Sequence, residues 1–297
     1  MPYPCSPGQE AGLGLGVLIA MVSSALGGTA AAVTRYLVGD ADPLTLTVLR
    51  WGIGFLCVLP AALLLRAKWP QRADLPAVAA LGFAFFGVFF VLYNIAMSYT
   101  TAARASLALA TLPLSTMVVG AVLGVEALTM RKSLGVGIAV LGVAAALASG
   151  LSAAPEGAWR GLCMAVYNVL SRPLMQRSSA LGFLAVGMGF GAAALTLAGV
   201  ATGRISVLAD FGPPQWIAGV YLGVGGGALA FILWVLALQR ATPTQVANTM
   251  TLNPIAAALL ATQLVDEPIT LNLVIGVIAV CLGIWIATTV AAKQGSG

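Results

Sequence analysis

The chain has 297 residues, 60% of them hydrophobic and 8% charged, with a mean hydropathy of +1.00. A water-soluble fold of that composition would lack the polar surface to cover itself, so one or two soluble domains are excluded in favour of a membrane protein. The net charge of +5 and pI near 9.3 come from residues scattered over short loops, which reads as a topology signal and not as a nucleic-acid surface.

In chain order, the opening "MPYPCSPGQE" lacks the basic stretch of a cleaved signal peptide, so the first apolar run, residues 12–34, is expected to be retained. Further apolar runs follow at 43–65, 75–98, 103–124, 132–150, 158–175, 180–202, 215–238, 243–265 and 269–290, each sized for one crossing of a bilayer. Period-two alternation is absent, and helices are then the remaining way to satisfy backbone polar groups in lipid. The expected fold class is therefore an all-α polytopic membrane protein with ten transmembrane helices. The sixth run is the exception, because "WRGLCMAVYNVLSRPL" offers too few uninterrupted apolar residues. Residues missing from this sequence or an oblique entry would account for it, and the former is the expectation.

With the N-terminus inside, the inner loops and tail hold Arg66, Lys68, Arg72, Arg131, Lys132, Arg172, Arg177, Arg240 and Lys293, while the outer loops hold Arg35, Arg104, Arg160 and Arg204. That imbalance places both termini in the cytoplasm. Four cysteines, Cys5, Cys57, Cys163 and Cys281, form no CxxC pair and indicate neither disulfides nor zinc. No metal or other cofactor is expected.

One phrase occurs twice. "TLPLSTMVVGAVLGVEALT" (Thr111–Thr129) and "LNPIAAALLATQLVDEPIT" (Leu252–Thr270) each carry a proline and, thirteen residues later, a glutamate. Pro113 and Pro254 are 141 residues apart, as are Glu126 and Glu267. The same offset superposes Leu81, Gly82, Phe90, Ala96, Thr101, Gly135 and Gly142 on identical partners, and Thr34–Arg35 faces Ser171–Arg172 at a slightly different one. Two copies, 12–150 and 156–290, are read from this. Five spans per copy is odd, so the copies enter the bilayer from opposite sides, and inverted repeats of this kind place a substrate site near the midplane.

The prolines either kink helices for packing or bend them around a cavity as gating points. Glu126 and Glu267 sit at helix ends and are expected to cap the helix that follows, whose N-terminus favours an anion. Arg50 lies within a span, where it either bonds carbonyls at another helix end or binds a substrate carboxylate. Tyr93, Asn94, Tyr99, Ser106 and Thr111 in the first copy, and Trp234, Asn248, Thr249 and Asn253 in the second, carry most of the polarity inside the spans, joined by Tyr167 and Asn168. Such residues either hold helices together or line a wet cavity, and the aromatic and amide mixture suits amphiphilic metabolites. Glycine-rich runs such as "GVGGGALA" permit close helix contact and have no phosphate-loop form.

Pro43 and Arg50 around the second span, then Pro113, Glu126, Gly135 and Gly142, repeated as Pro254, Glu267, Gly276 and Gly283, resemble the drug/metabolite transporter superfamily, specifically its EamA-type ten-helix exporters. The resemblance covers nearly the whole chain. It implies a five-plus-five inverted repeat in the bacterial inner (plasma) membrane that moves small metabolites, often amino acids, and within the family the chain is similar to the YddG-type exporters of aromatic and other amino acids. The partners implied are a small-molecule substrate and the lipid bilayer, with no nucleic acid; a monomer suffices and the oligomeric state stays open. The reading is an amino-acid or amphiphile exporter working by alternating access. The nine acids all fall in loops or helix ends, which argues against proton coupling. A proton-coupled drug or metabolite antiporter and a non-transporting structural membrane protein are the alternatives. An enzyme is not expected, since the chain has no histidine, no clustered metal ligands and no buried carboxylate pair.

Overall fold

The computed structural model describes residues 7–110, 130–147, 179–238, 240, 246 and 249–288. Its helices follow the apolar runs closely. We number them α1 (Pro7–Leu37), α2 (Pro43–Leu64), α3 (Leu75–Met97), α4 (Ala102–Ala110), α5 (Met130–Leu147), α6 (Ala180–Ala201), α7 (Pro213–Ala237), α8 (Leu252–Leu264) and α9 (Leu271–Thr288). Five stretches, Gly14–Leu37, α2, α3, Leu181–Ala201 and α7, are long and apolar enough to cross a bilayer by themselves. Their outer faces carry side chains such as Leu64, Leu197 and Ile217 that are more than two-thirds exposed, a surface that lipid covers and water would not tolerate. The chain is thus an all-helical, multi-pass membrane protein.

Local chemistry starts the helices where the sequence breaks. Asp42 caps α2, accepting from the N–H groups of Leu44 (3.0 Å) and Thr45 (3.4 Å), with Pro43 in the first turn. Ser179 caps α6 through the Gly182 N–H at 3.0 Å. The loops meet in two groups. Asp42 pairs with Arg204 at 3.5 Å, joining the α1–α2 and α6–α7 connections, while Ser179 and the Lys68 carbonyl, 3.0 Å apart, join connections at the other end of the bundle. In each case the partners belong to loops that the span order places on the same side.

The main helix contacts run between the two halves of the chain: α1 against α7 and α8, α2 against α6 and α7, α3 against α6, α4 against α8, and α5 against α9. With lipid outside, association rests on close packing more than on removal from water, and small residues allow it. At Gly82 of α3 a Cβ would stand 2.3 Å from the Gly187 carbonyl oxygen of α6, and at Gly28 of α1 a Cβ would stand 2.3 Å from the Asn253 carbonyl oxygen of α8. The centre is aromatic. Trp51 is fully buried, with edge-on contacts to Phe86 (4.9 Å), Phe90 (4.5 Å) and Phe231 (5.3 Å).

Two helices widen into π turns at corresponding places, Phe83–Phe89 in α3 and Val224–Leu229 in α7, which begin 141 residues apart. A π turn inserted in a helix shifts its register and is common at functional sites.

One expectation is corrected here. Glu267 does not cap the helix that follows it; Thr270 does that, its hydroxyl accepting from the Leu273 N–H at 3.3 Å. Instead Glu267 Oε2 accepts from the Ala102 N–H at 3.0 Å, capping α4 in the other half, and Oε1 pairs with Arg35 Nε at 3.0 Å. The helix dipole favours an anion at any N-terminus, and folding brought a different one within reach. For Pro254, a 3₁₀ turn, Thr249–Thr251, leads into α8 at Leu252, so regular helix is interrupted within one turn before the proline, the place where its missing N–H frees a carbonyl. Pro113 and Glu126, and the short sixth span, lie outside the described residues.

Candidate functional site

A cavity of about 140 Å³ opens between the halves of the molecule. Ser23, Ser24 and Gly27 of α1, Arg50 of α2, and Phe85, Phe90 and Tyr93 of α3 form one part of its wall. Leu109 of α4, Gly226, Ala230, Phe231 and Trp234 of α7, Met250 of the 3₁₀ turn and Asn253 of α8 form the rest. At about 30 Å³ for each water the cavity of about 140 Å³ has room for about five, the size of the apolar part of a small amphiphilic metabolite. Its wall is mostly apolar and aromatic with a few polar groups, the usual composition of a small-molecule site.

Irregular backbone supplies several of those positions. Phe85 and Gly226 belong to the two π turns and Met250 to the 3₁₀ turn. Non-helical backbone at membrane depth is tolerated where it is buried in protein or lines a cavity, and transporters place their substrate sites there. Hydroxyl groups tie α1 to these segments: Ser23 Oγ donates to the Ala230 carbonyl at 2.6 Å, and Ser24 Oγ shares a hydrogen bond with Thr249 Oγ1 at 2.9 Å.

Arg50 is the charged member of this wall. Only 5% of the residue is exposed, and its guanidinium lies 4.9 Å from the Trp51 ring centre and 4.8 Å from that of Phe90. Its Nη2 donates to the Gly226 carbonyl at 2.9 Å, and its Nε has no hydrogen-bond partner among the described residues. Gly226 lets α7 approach α1, since a Cβ there would meet Ala30 Cβ at 2.3 Å, and Gly227 lets it approach α2, where a Cβ would stand 3.0 Å from the Arg50 carbonyl oxygen. Removing a guanidinium from water costs several kcal/mol. One hydrogen bond from a charged donor returns about 1.5–3 kcal/mol and each aromatic face about 0.5–2 kcal/mol, which offsets much of the cost yet leaves the charge without an anion. Asn253, also 5% exposed, presents an Oδ1 with no partner among the described residues. Arg50 and Asn253 thus bring a guanidinium and a carboxamide to the cavity wall, with Nε and Oδ1 packed against neighbouring protein.

Of the residues singled out from sequence, Tyr93, Trp234 and Asn253 line the cavity, together with Arg50, for which carbonyl bonding and substrate binding had both stood open. Asn94 is buried elsewhere: its Nδ2 donates to the Pro43 carbonyl (3.1 Å) and to Thr47 Oγ1 (3.0 Å), fastening α3 to the start of α2. Ser106 is buried in α4 beside Tyr93 and does not itself line the cavity. Tyr99 lies in the turn after α3, 59% exposed, where an amphipathic ring suits the edge of the bilayer. Thr111, Tyr167, Asn168 and Asn248 lie outside the described residues. The sequence reading missed Ser23 and Ser24, although two hydroxyls within the first span were a usable signal. It also missed the phenylalanines of "FAFFGVFF", which look like ordinary lipid-facing residues until the π turn re-aims them.

Comparison with known proteins agrees with this arrangement. The model of the EamA-like transporter family matches twice, over residues 14–148 and 159–289. A probable terminal-alkyne amino-acid exporter of Streptantibioticus cattleyicolor is 27% identical over 228 residues, covering 73% of this chain and 74% of its own. An uncharacterized transporter of Archaeoglobus fulgidus is 26% identical over 274 residues, covering 90% and 94%, and the uncharacterized transporter YyaM of Bacillus subtilis is 21% identical over 268 residues, covering 86% and 88%. A crystal structure with 23% sequence identity shares the fold, with a TM-score of 0.67 over 93% of this chain and 97% of that one. A family model that accounts for almost the whole length in two successive matches, on a helical bundle with a cavity at its centre, identifies the chain as a member of the EamA-like transporter family.

Proposed function

We propose that this transporter is a secondary exporter of amino acids with aromatic or other hydrophobic side chains, or of related small amphiphilic metabolites. It works by alternating access in the bacterial inner membrane, with both termini in the cytoplasm. The observation that carries the reading is the cavity between the halves, whose wall combines five aromatic side chains with one buried cation and one amide. The similarity to the S. cattleyicolor protein, a probable terminal-alkyne amino-acid exporter, points the same way. Residues 12–150 and 156–290 act as the two inverted units, and the 3₁₀-to-α junction before Pro254 is the segment that flexes as they rock. Proton coupling is not part of this reading, which rests on the placement of the nine acids in loops or at helix ends; Glu267 in addition caps α4 and pairs with Arg35. Substrate binding that differs between the two states is then sufficient to bias them.

Reconstitution into liposomes with a panel of labelled amino acids and amines tests the proposal. Flux of hydrophobic amino acids is expected, reduced at least tenfold in Trp234→Ala and unchanged in Leu197→Ala, a lipid-facing control that is 71% exposed. No flux of any compound, or equal loss in both variants, would overturn it.

A further inference from the structure

The two halves of the bundle share a corresponding helix crossing, α2 with α7 and α6 with α3, yet only the first of these carries a charge at the aligned position. α2 begins at Pro43 and α6 at Ala180, and aligning these starts sets Gly52 on Gly189, Gly54 on Gly191 and Trp51 on Met188. Arg50 then falls on Gly187. The contacts around these two positions correspond: Gly82 of α3 meets the Gly187 backbone, and Gly223 of α7, 141 residues later, meets α2 at Ile53 and at the Arg50 carbonyl. Helix packing at this crossing is thus achieved with no side chain at all in one half. The guanidinium in the other half is not a requirement of the crossing, and it stands in the cavity wall without an anionic partner among the described residues.

We propose that Arg50 is the substrate-binding residue that receives the carboxylate of the transported solute, and that Asn253 Oδ1 receives its α-amino group. This assignment rests on the transporter reading of the same cavity. The Gly226 carbonyl and the faces of Trp51 and Phe90 hold the guanidinium in place, leaving Nε without an acceptor among the described residues. A guanidinium matches a carboxylate in charge and in planar donor geometry. Asn253 lies in the first turn of α8, its carboxamide facing Gly27 of α1, with Oδ1 3.2 Å from where a Cβ on that glycine would stand. An acceptor left without a donor in a buried wall favours a ligand that brings one. Phe85, Phe231 and Trp234 are left for the apolar side chain. The substrate class is therefore an α-amino carboxylate with an apolar side chain, and the site discriminates against solutes that lack the carboxylate.

The experiment is a binding measurement on the purified full chain in nanodiscs, using matched compounds: phenylalanine, phenylalaninamide and 3-phenylpropionate, with the corresponding leucine and tryptophan sets. The acids are expected to bind at least tenfold more tightly than their amides, and the des-amino acids to fall between. Arg50→Gln, which can still donate to Gly226, is expected to abolish the preference for acid over amide, and Arg50→Lys to retain part of it. Asn253→Leu is expected to remove the advantage of phenylalanine over 3-phenylpropionate while keeping the preference for acids. Equal binding of acid and amide by the unaltered protein overturns the assignment while leaving the transporter reading intact, because flux in liposomes measures that separately. An Arg50→Gln protein that is less stable but keeps the acid preference also overturns it, and so does absence of binding by every acid.

Discussion

Removing Glu267 should uncouple two interactions of different size, and the two can be separated. One carboxylate oxygen accepts from the Ala102 N–H at the start of α4, and the other pairs with Arg35, each at 3.0 Å. Losing a helix cap costs about 1 kcal/mol, within a range of roughly 0.5–2. The Arg35 side chain is 33% exposed and that of Glu267 11%, so solvent screens the ion pair and its share is about 0.5 kcal/mol. Glu267→Ala removes both and is expected to destabilise by about 1.5 kcal/mol. Glu267→Gln keeps an amide oxygen for the cap and loses mainly the charge, so it and Arg35→Gln should each cost about 0.5 kcal/mol, and the double substitution little more than either alone. Equilibrium unfolding of the four variants in one detergent reads these differences. If Glu267→Gln were as damaging as Glu267→Ala, or if the two glutamine substitutions were fully additive, the assignment of separate cap and pair contributions would be wrong.

Glycine positions should divide by what lies opposite them. A Cβ on Gly82 meets backbone atoms of Gly187 at 2.3–2.6 Å, so Gly82→Ala is expected to cost about 1–3 kcal/mol, whereas Gly52, with nothing within 4 Å, should accept alanine with no loss and up to about 1 kcal/mol of helix stabilisation; thermal unfolding of the two variants side by side checks this. Counterflow in liposomes should be unaffected by an imposed pH gradient and should persist in Glu267→Gln. Uphill accumulation driven by protons and lost in that variant would refute transport without coupling.

The membrane class and the apolar runs were legible in the sequence, because each rests on a property that adds up along the chain. About twenty apolar residues span a bilayer whatever their neighbours are. Arg50 was legible as an anomaly for the same reason, as a charge where lipid would surround it. Its surroundings were not. The distance from Arg50 to the Gly226 carbonyl depends on how α2 crosses α7, on a π turn that no residue preference announces, and on a glycine that lets the helices touch. Asn94 and Asn253 look alike in the sequence, each an amide inside an apolar run. Both leave a buried amide oxygen without a partner among the described residues, and the fold separated them by turning one onto the start of α2, where its donors are used, and placing the other in the cavity wall. Glu267 shows the same limit, since the sequence could state that a carboxylate at a helix end finds an N-terminus, but only tertiary packing decided that the nearest one belonged to α4.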